Sequence, residues 1–189
     1  SLLDLTIVLP LRNREAATAQ LVRQGVTLAR ASGSNVRFEI LALDETSVDN
    51  TLSVLSILPS QVPQLRTFQD LEPGSAIMRA SRVAHGRTWL LVDDAVDEGL
   101  STWAVEQVFR GKRAAVVPGT LLCVERGIGQ AALSWTKGGL VTAQRQVEAT
   151  LKARGEQAAF SPPNDNGLRK RASIFVRGRL GGLGLDKPG

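Results

Sequence analysis

The sequence predicts an α/β domain of three layers, with helices on both faces of a mostly parallel central sheet. Three observations lead there. Short apolar runs alternate with longer segments at helical spacing as far as Pro118, a pattern that implies parallel pairing. Most runs are closed by a turn residue or a polar cluster. A length of 189 residues, 43% of them hydrophobic, suits one domain with a full core.

The elements follow in order. "LTIVLP" is a strand ended by Pro10, and "NREAATAQLVRQGVTLARASG" is a helix with Ala17, Leu21, Val22, Leu28 and Ala29 near helical spacing. "FEILAL" is a second strand, followed by the turn-like "DETSVDN" and a short helix, "TLSVLSIL", stopped by Pro59. "QLRTF" is a third strand, "GSAIMRASRVAHG" a helix bounded by glycines, "RTWLLV" a central strand, "GLSTWAVEQVFRG" a helix and "RAAVVP" a further strand. Beyond Pro118 the pattern loosens. "IGQAALSWTKGGLVTAQRQVEATLKARG" is either one helix kinked at Gly138-Gly139 or two helices, and "FSPPNDNG" is a loop by composition.

Composition narrows the function. No apolar run approaches the roughly 20 residues of a membrane helix, and "SLLDLTIVLP" enters a strand at once with no leader pattern, so the expected location is the cytoplasm. The single cysteine, Cys123 in "TLLCVE", excludes an internal disulfide and reads as a buried small hydrophobe. The single histidine, His85 in "AHG", leaves no pair for a metal and reads as a helix C-terminal residue. The net charge of +5 resides in the tail from Arg169 onward, which holds six basic residues and one acid, while the remainder carries 17 of each sign. Nucleic acid is therefore not an expected partner. The tail's basic residues are interleaved with Ile174, Phe175, Val176, Leu180, Leu183 and Leu185. Two readings of it stand: peripheral contact with an anionic membrane, or a solvated run followed by a last strand at 174–176.

Ligands of parallel α/β sheets bind at the carboxyl ends of the strands, and the polar residues of this chain gather there. Pro10, Arg12, Asn13 and Glu15 follow the first strand; Asp44, Glu45, Ser47 and Asp49 follow the second; Asp93, Asp94 and Asp97 follow the central strand. Each cluster also has a plain structural reading. Ser47 or Asp49 would cap the helix near Thr51, and Asp93 and Asp94 would be solvated or cap the helix near Ser101. Arg79 and Arg82 read as surface arginines with a second possibility at a diphosphate. Trp89, Trp103 and Trp135 read as core or packing residues rather than sugar platforms.

The clusters carry a resemblance. "IVLPLRNREA" resembles the opening block of family 2 glycosyltransferases, "IVIPxYNEE"; "FEILALDETSVDNT" is similar to their second block, "EIIVVDDGSTDGT"; and "GSAIMRASRVAHGRTWLLVDDA" resembles the third, which leads to the Asp-x-Asp motif. The three blocks keep order and spacing over residues 4–118. The resemblance implies a GT-A, Rossmann-like fold, a nucleotide-diphosphate sugar donor, and Mg²⁺ or Mn²⁺ at the diphosphate. It implies nucleotide binding by Pro10, Arg12, Glu15, Asp44, Glu45 and Asp93, with Asp44 and Glu45 candidates for the base, and metal binding by Asp93 and Asp94. It also implies a division into a nucleotide-sugar domain at 1–168, with its motif-bearing half at 4–118 and an acceptor half at 119–168, and a tail at 169–189.

The departure with most consequence falls on the metal motif. Ala95 stands at its second acid, normally the direct ligand, with Asp94 and Asp97 the alternatives. Arg12 replaces an aromatic residue, Glu45 the second aspartate, and Ala80 a glycine. Glu125, Glu148, Glu156 and Asp165 are available as an acceptor base without a recognisable motif. The expected function is metal-assisted transfer of a sugar to an unidentified acceptor, lipid-linked or polysaccharide. The alternative is a degenerate nucleotide-binding or interaction module of the same fold. A nucleotidyltransferase is disfavoured, because "PLRNREA" has no glycine.

Overall fold

The structure is a computed structural model describing residues 1–161. The C-terminal tail and Asp165 lie outside the described residues. Seven strands form one sheet: β1 (Leu3–Leu11), β2 (Phe38–Asp44), β3 (Leu65–Phe68), β4 (Gly86–Val92), β5 (Ala114–Val117), β6 (Leu121–Glu125) and β7 (Ala159–Phe160). Their order is β3-β2-β1-β4-β6-β5-β7, with β6 antiparallel to both its neighbours and the other pairs parallel. Six helices complete it: α1 (Glu15–Ala31), α2 (Thr51–Ile57), α3 (Ala76–Val83), α4 (Glu98–Phe109), α5 (Arg126–Leu133) and α6 (Leu140–Ala153). The three-layer, mostly parallel architecture is the expected one.

Side-chain alternation along the strands divides the core in two. Leu5, Ile7, Leu9 and Leu11 of β1 face α1, α2 and α4, meeting Leu21, Val22, Leu28, Leu55 and Val105. Val8, with Leu41, Leu43, Trp89 and Leu91, faces α3, α5 and α6, meeting Ile77, Ala80, Ile128, Leu133 and Val147. The central strands are thus apolar on both faces, as a sheet covered twice requires. Close approach fixes two glycines. A Cβ on Gly86 would lie 2.5 Å from the Thr6 backbone nitrogen, and one on Gly129 would lie 2.4 Å from the Trp89 ring. Trp89 itself is buried and donates its indole N–H to the Gly86 carbonyl at 2.9 Å.

Some local readings are completed by the structure and others are corrected. "LLCVE" is β6, held by hairpin pairing to β5 across Pro118–Thr120, with Gly119 in the left-handed region at φ 69°. Phe160 belongs to β7 rather than to a loop. The long segment after Gly127 is two helices, separated by residues 134–139. The α-helix stops before Pro59, as expected: α2 ends at Ile57, and Pro59 sits in the 3-10 turn Leu58–Ser60 that follows, where its missing N–H is tolerated. His85 is not a helical residue, because α3 ends at Val83 and Ala84 is already extended. Trp135 is not core: it is 86% exposed, while Trp103 is half-buried against the core. Cys123 is fully buried, as expected.

Candidate functional site

At the carboxyl ends of the strands the sheet opens between β1 and β4. Pairing of β1 with β2 runs to Leu11↔Asp44, but pairing with β4 stops at Val8↔Leu91. Pro10 fits this divergence, because it has no N–H to donate to a ladder. Here the chain connections leave in opposite directions along the sheet, which is the switch point where α/β folds bind ligands.

The resulting cleft has a volume of about 180 Å³ and is walled by Pro10, Leu11, Arg12 and Arg14 from β1 and its loop, by Val92 and Asp93 from β4, by Glu45 and Ile77, and by Gly139 and Leu140 at the start of α6. Asp93 is shared with a neighbouring cavity of about 410 Å³, lined by Asp94, Ala95, Val96, Asp97, Gly119 and Thr120. Together they reach the roughly 300–1,000 Å³ of small-molecule sites. A larger concavity, of about 650 Å³, lies at the other end of the strands, beside Asp4, Arg87 and Glu125. That end carries the start of α5, whose Gly127 N–H is already capped by Glu125, and it lies opposite the carboxyl ends of the parallel strands that make ligand sites in this architecture.

Two loops shape the cleft, and hydrogen bonds tie them together. Asn13, in the left-handed region at φ 52°, donates its N–H to Ser47 Oγ at 2.9 Å and accepts the Val48 N–H on Oδ1 at 2.8 Å. The Arg14 N–H donates to Thr51 Oγ1 at 2.9 Å, and the Arg14 carbonyl accepts from Thr18 Oγ1 at 2.7 Å. Asp49 accepts the Glu15 N–H at 3.2 Å and the Thr51 N–H at 3.0 Å, so it serves the first turns of α1 and α2 together. The Thr51 hydroxyl beside Asp49 holds its carboxyl below the ordinary carboxylate range. Thr46 also has positive φ, 54°, an uncommon state for a β-branched residue. Its hydroxyl donates to the Leu71 carbonyl at 2.7 Å.

Of the residues the sequence singled out, Pro10, Arg12, Glu45 and Asp93 meet in the cleft. Glu45 accepts N–H bonds from Gly74 at 2.7 Å and Ala76 at 3.4 Å, which anchors the start of α3. Asp44 is fully buried and bonds Ser47 through its backbone N–H and its hydroxyl, so it braces the turn from below. Glu15 is exposed outside the cleft lining and accepts from Asn50 Nδ2 at 3.1 Å. Asp94 forms an ion pair with Arg14. Asp97 caps α4, accepting the Leu100 N–H at 2.8 Å. Among the described residues no three His, Cys, Asp or Glu side chains are grouped as a metal site.

The candidate acceptor bases stand elsewhere. Glu125 caps α5 and pairs with Arg113 at 3.0 Å, and Glu156 meets the same arginine at 3.5 Å. Glu148 lines a separate cavity with Lys152 and Glu156. Arg82 donates to the Ser134 carbonyl at 2.6 Å and lies 4.8 Å from the Trp135 ring centroid, while Arg79 stacks on Phe68. Neither arginine lines the cleft. Sequence reading missed Arg14, Gly139 and Leu140. The first had a signal, a basic residue between Asn13 and Glu15 in a strand-end loop; the others reach the cleft only through tertiary packing.

Solved structures with the same architecture fix its type. The mannosyltransferase PcManGT of Pyrobaculum calidifontis, in complex with GDP-Man and Mn²⁺, superposes with a TM-score of 0.64 at 15% identity, covering 86% of this chain and 56% of that one. The chain has the GT-A fold. S. aureus TarS gives a TM-score of 0.60 at 13% identity, over 85% of this chain and 58% of that one. Glucosyl-3-phosphoglycerate synthase of Mycobacterium tuberculosis, in complex with Mn²⁺, UDP and phosphoglyceric acid, gives 0.59 at 14%, over 99% and 81%. The GT-A chain described here thus spans little more than half the length of the first two. At these identities the likeness is one of fold. No protein-family model and no curated protein matches the sequence. No described helix is long and apolar enough to cross a membrane.

Proposed function

We propose that the chain is a glycosyltransferase domain that takes a nucleotide-diphosphate sugar into the cleft between β1 and β4 and passes the sugar to an acceptor. The observation that carries this reading is the cleft itself: a concavity at the switch point of a GT-A sheet, walled by two arginines and two carboxylates. The GT-A neighbours include structures with GDP-Man and with UDP, which supports a nucleotide donor.

Each wall then has a role. Glu45 recognises an N–H of the base. Its oxygens already accept two backbone N–H groups, yet a carboxylate has about four acceptor sites and can take one more. Pro10, Leu11 and Ile77 offer apolar surface to the base or ribose. Asp93, exposed and shared by both cavities, accepts a hydroxyl of the ribose or sugar. Asp44 and Asp49 hold the loop that presents Glu45.

A second reading is favoured by one observation: Glu125, Glu148 and Glu156 all lie outside the cleft lining, and an inverting transferase needs a carboxylate near the acceptor hydroxyl. Under that reading the domain binds the donor without transfer. Thermal-shift titration with UDP-sugars and GDP-sugars, followed by assay of donor hydrolysis, separates the two. Binding with hydrolysis that is lost in Asp93→Asn supports the transferase. Binding without hydrolysis supports the module. No shift with any nucleotide sugar rejects both.

A further inference from the structure

A divalent cation that bridges a diphosphate needs several hard, negatively charged oxygen ligands. The acids around the cleft are occupied otherwise. Asp94 is ion-paired with Arg14. Asp97 accepts the Leu100 N–H as the cap of α4. Glu45 accepts the backbone N–H groups of Gly74 and Ala76, and its remaining acceptor capacity is the one assigned above to the base. Ala95 has no side-chain oxygen. Only Asp93 makes no hydrogen bond or ion pair among the described residues, and one carboxylate is a poor cation site. The donor set does not fit Mg²⁺ or Mn²⁺.

The same walls suit an anion. Arg12 and Arg14 both line the cleft from the loop after β1. A guanidinium presents a planar fork of N–H donors that matches phosphate oxygens in bidentate fashion and keeps its charge at any working pH. Arg14 is also well mounted. Its backbone is pinned on both sides, by Thr51 Oγ1 at 2.9 Å and Thr18 Oγ1 at 2.7 Å, so only the side chain needs to move. Its partner Asp94 is 67% exposed, an ion pair in water that a doubly charged ligand can replace at little cost.

We infer that Arg14, with Arg12 beside it, binds the diphosphate of the nucleotide directly in the place where a divalent cation would bridge it, and that Asp94 competes with the diphosphate for Arg14. The inference rests on the nucleotide-sugar reading of the cleft but makes separate demands. Asp94 becomes a competitor of the ligand rather than a contributor to its binding, which reverses the sign of its mutation.

The test is calorimetry of UDP and GDP on the full chain, in EDTA and again in Mn²⁺, with uridine and guanosine as controls lacking phosphate. The expected result is equal affinity for the diphosphate in both buffers. Arg14→Gln should weaken diphosphate binding by about tenfold or more, the loss of a charged hydrogen bond, and leave the nucleosides unaffected. Asp94→Asn should strengthen it by about two- to fivefold, the worth of an exposed ion pair. Unfolding curves of both variants verify that they are folded, and Arg14→Lys, which keeps the charge, should recover part of the affinity. Binding that requires Mn²⁺, or that weakens in Asp94→Asn, overturns the inference while leaving the nucleotide site in place. Absence of UDP and GDP binding in both buffers overturns the nucleotide-sugar reading, and the inference with it.

Discussion

The carboxylate of Glu39 accepts the Thr6 hydroxyl at 2.9 Å, and both residues are buried near the amino ends of adjacent parallel strands, far from the cleft. Glu39 also accepts the His85 N–H at 2.6 Å and the Arg66 guanidinium at 2.7 Å. Thr6 Oγ1 in turn accepts the Gly86 N–H at 2.9 Å. One acid therefore joins β1, β2, β3 and the start of β4, and it does so where Gly86 leaves no room for a side chain. Glu39→Ala should cost about 1–3 kcal/mol, because it leaves the buried Thr6 hydroxyl and the His85 N–H without their acceptor, while Arg66, 36% exposed, keeps the Val83 carbonyl. Glu39→Gln keeps an acceptor oxygen and should cost less. Urea denaturation of the two variants checks the order, and equal losses would show that the carboxylate's charge carries the whole effect.

Asp97 tests whether an acid of the third cluster serves the helix or a ligand. Its side chain satisfies an N–H in the first turn of α4, so Asp97→Ala should lower stability by about 1 kcal/mol. Asp97→Ser, another good cap, should restore most of it. Nucleotide affinity should change little in both. Denaturation curves beside calorimetry read the two effects separately; a Ser variant that stays stable but loses nucleotide binding would return Asp97 to the site.

Much of this architecture is legible in the sequence because its signals are local. "LTIVLP", "FEILAL" and "RTWLLV" are short apolar runs followed by polar turns, and the structure finds β1, β2 and β4 on them within a few residues. What escaped reading depends on distance. "LLCVE" has the composition of a strand, but its place between β4 and β5 needs an antiparallel hairpin that breaks the α/β alternation. The signal was "PGT", a glycine-bearing turn between two apolar runs. At the site, the polar loops were found because strand ends collect them. How each acid is used was not legible. Asp44 ends β2 and Asp49 follows it, yet one is sealed beneath Ser47 and the other serves two helix starts. Arg14 and Asp94 are 80 positions apart, and only the parallel pairing of β1 with β4 brings their loops together.

Burial pushes the Cys123 thiol up, far above its ordinary value of 9.0. In the native chain it should resist a thiol-specific disulfide reagent at pH 8 and react once denatured. There is also a linkage consequence. Above about pH 9 the unfolded chain releases this proton and the folded chain keeps it, so the unfolded state binds fewer protons and stability falls as pH rises. The slope from this group approaches about 1.4 kcal/mol per pH unit once the unfolded thiol is fully ionised. Cys123→Ala should remove that component, and denaturation at pH 8, 9 and 10 would detect it. A native thiol that reacts as fast as the denatured one would contradict its burial in β6.

Trp89 and Trp135 should differ in every optical and energetic measurement. Trp89 lies in the core against Gly129, with its indole N–H satisfied by Gly86, whereas Trp135 is 86% exposed with Arg82 stacked on its ring. Truncating a buried tryptophan leaves a large cavity, so Trp89→Ala should cost about 3–5 kcal/mol. Trp135→Ala loses only an exposed cation–π contact, worth about 0.5–1 kcal/mol. In emission spectra Trp135→Phe should remove a red-shifted, readily quenched component, since its ring meets water; Trp89 should contribute a blue-shifted component protected from iodide. Because Ser134 to Gly139 run from Arg82 to the cleft, with Gly138 donating its N–H to the Gly74 carbonyl at 2.8 Å, Trp135 also reports on this segment. Nucleotide binding at Gly139 and Leu140 should alter its quenching, and an unchanged Stern–Volmer slope at saturating UDP or GDP would mean that the segment does not respond to the ligand.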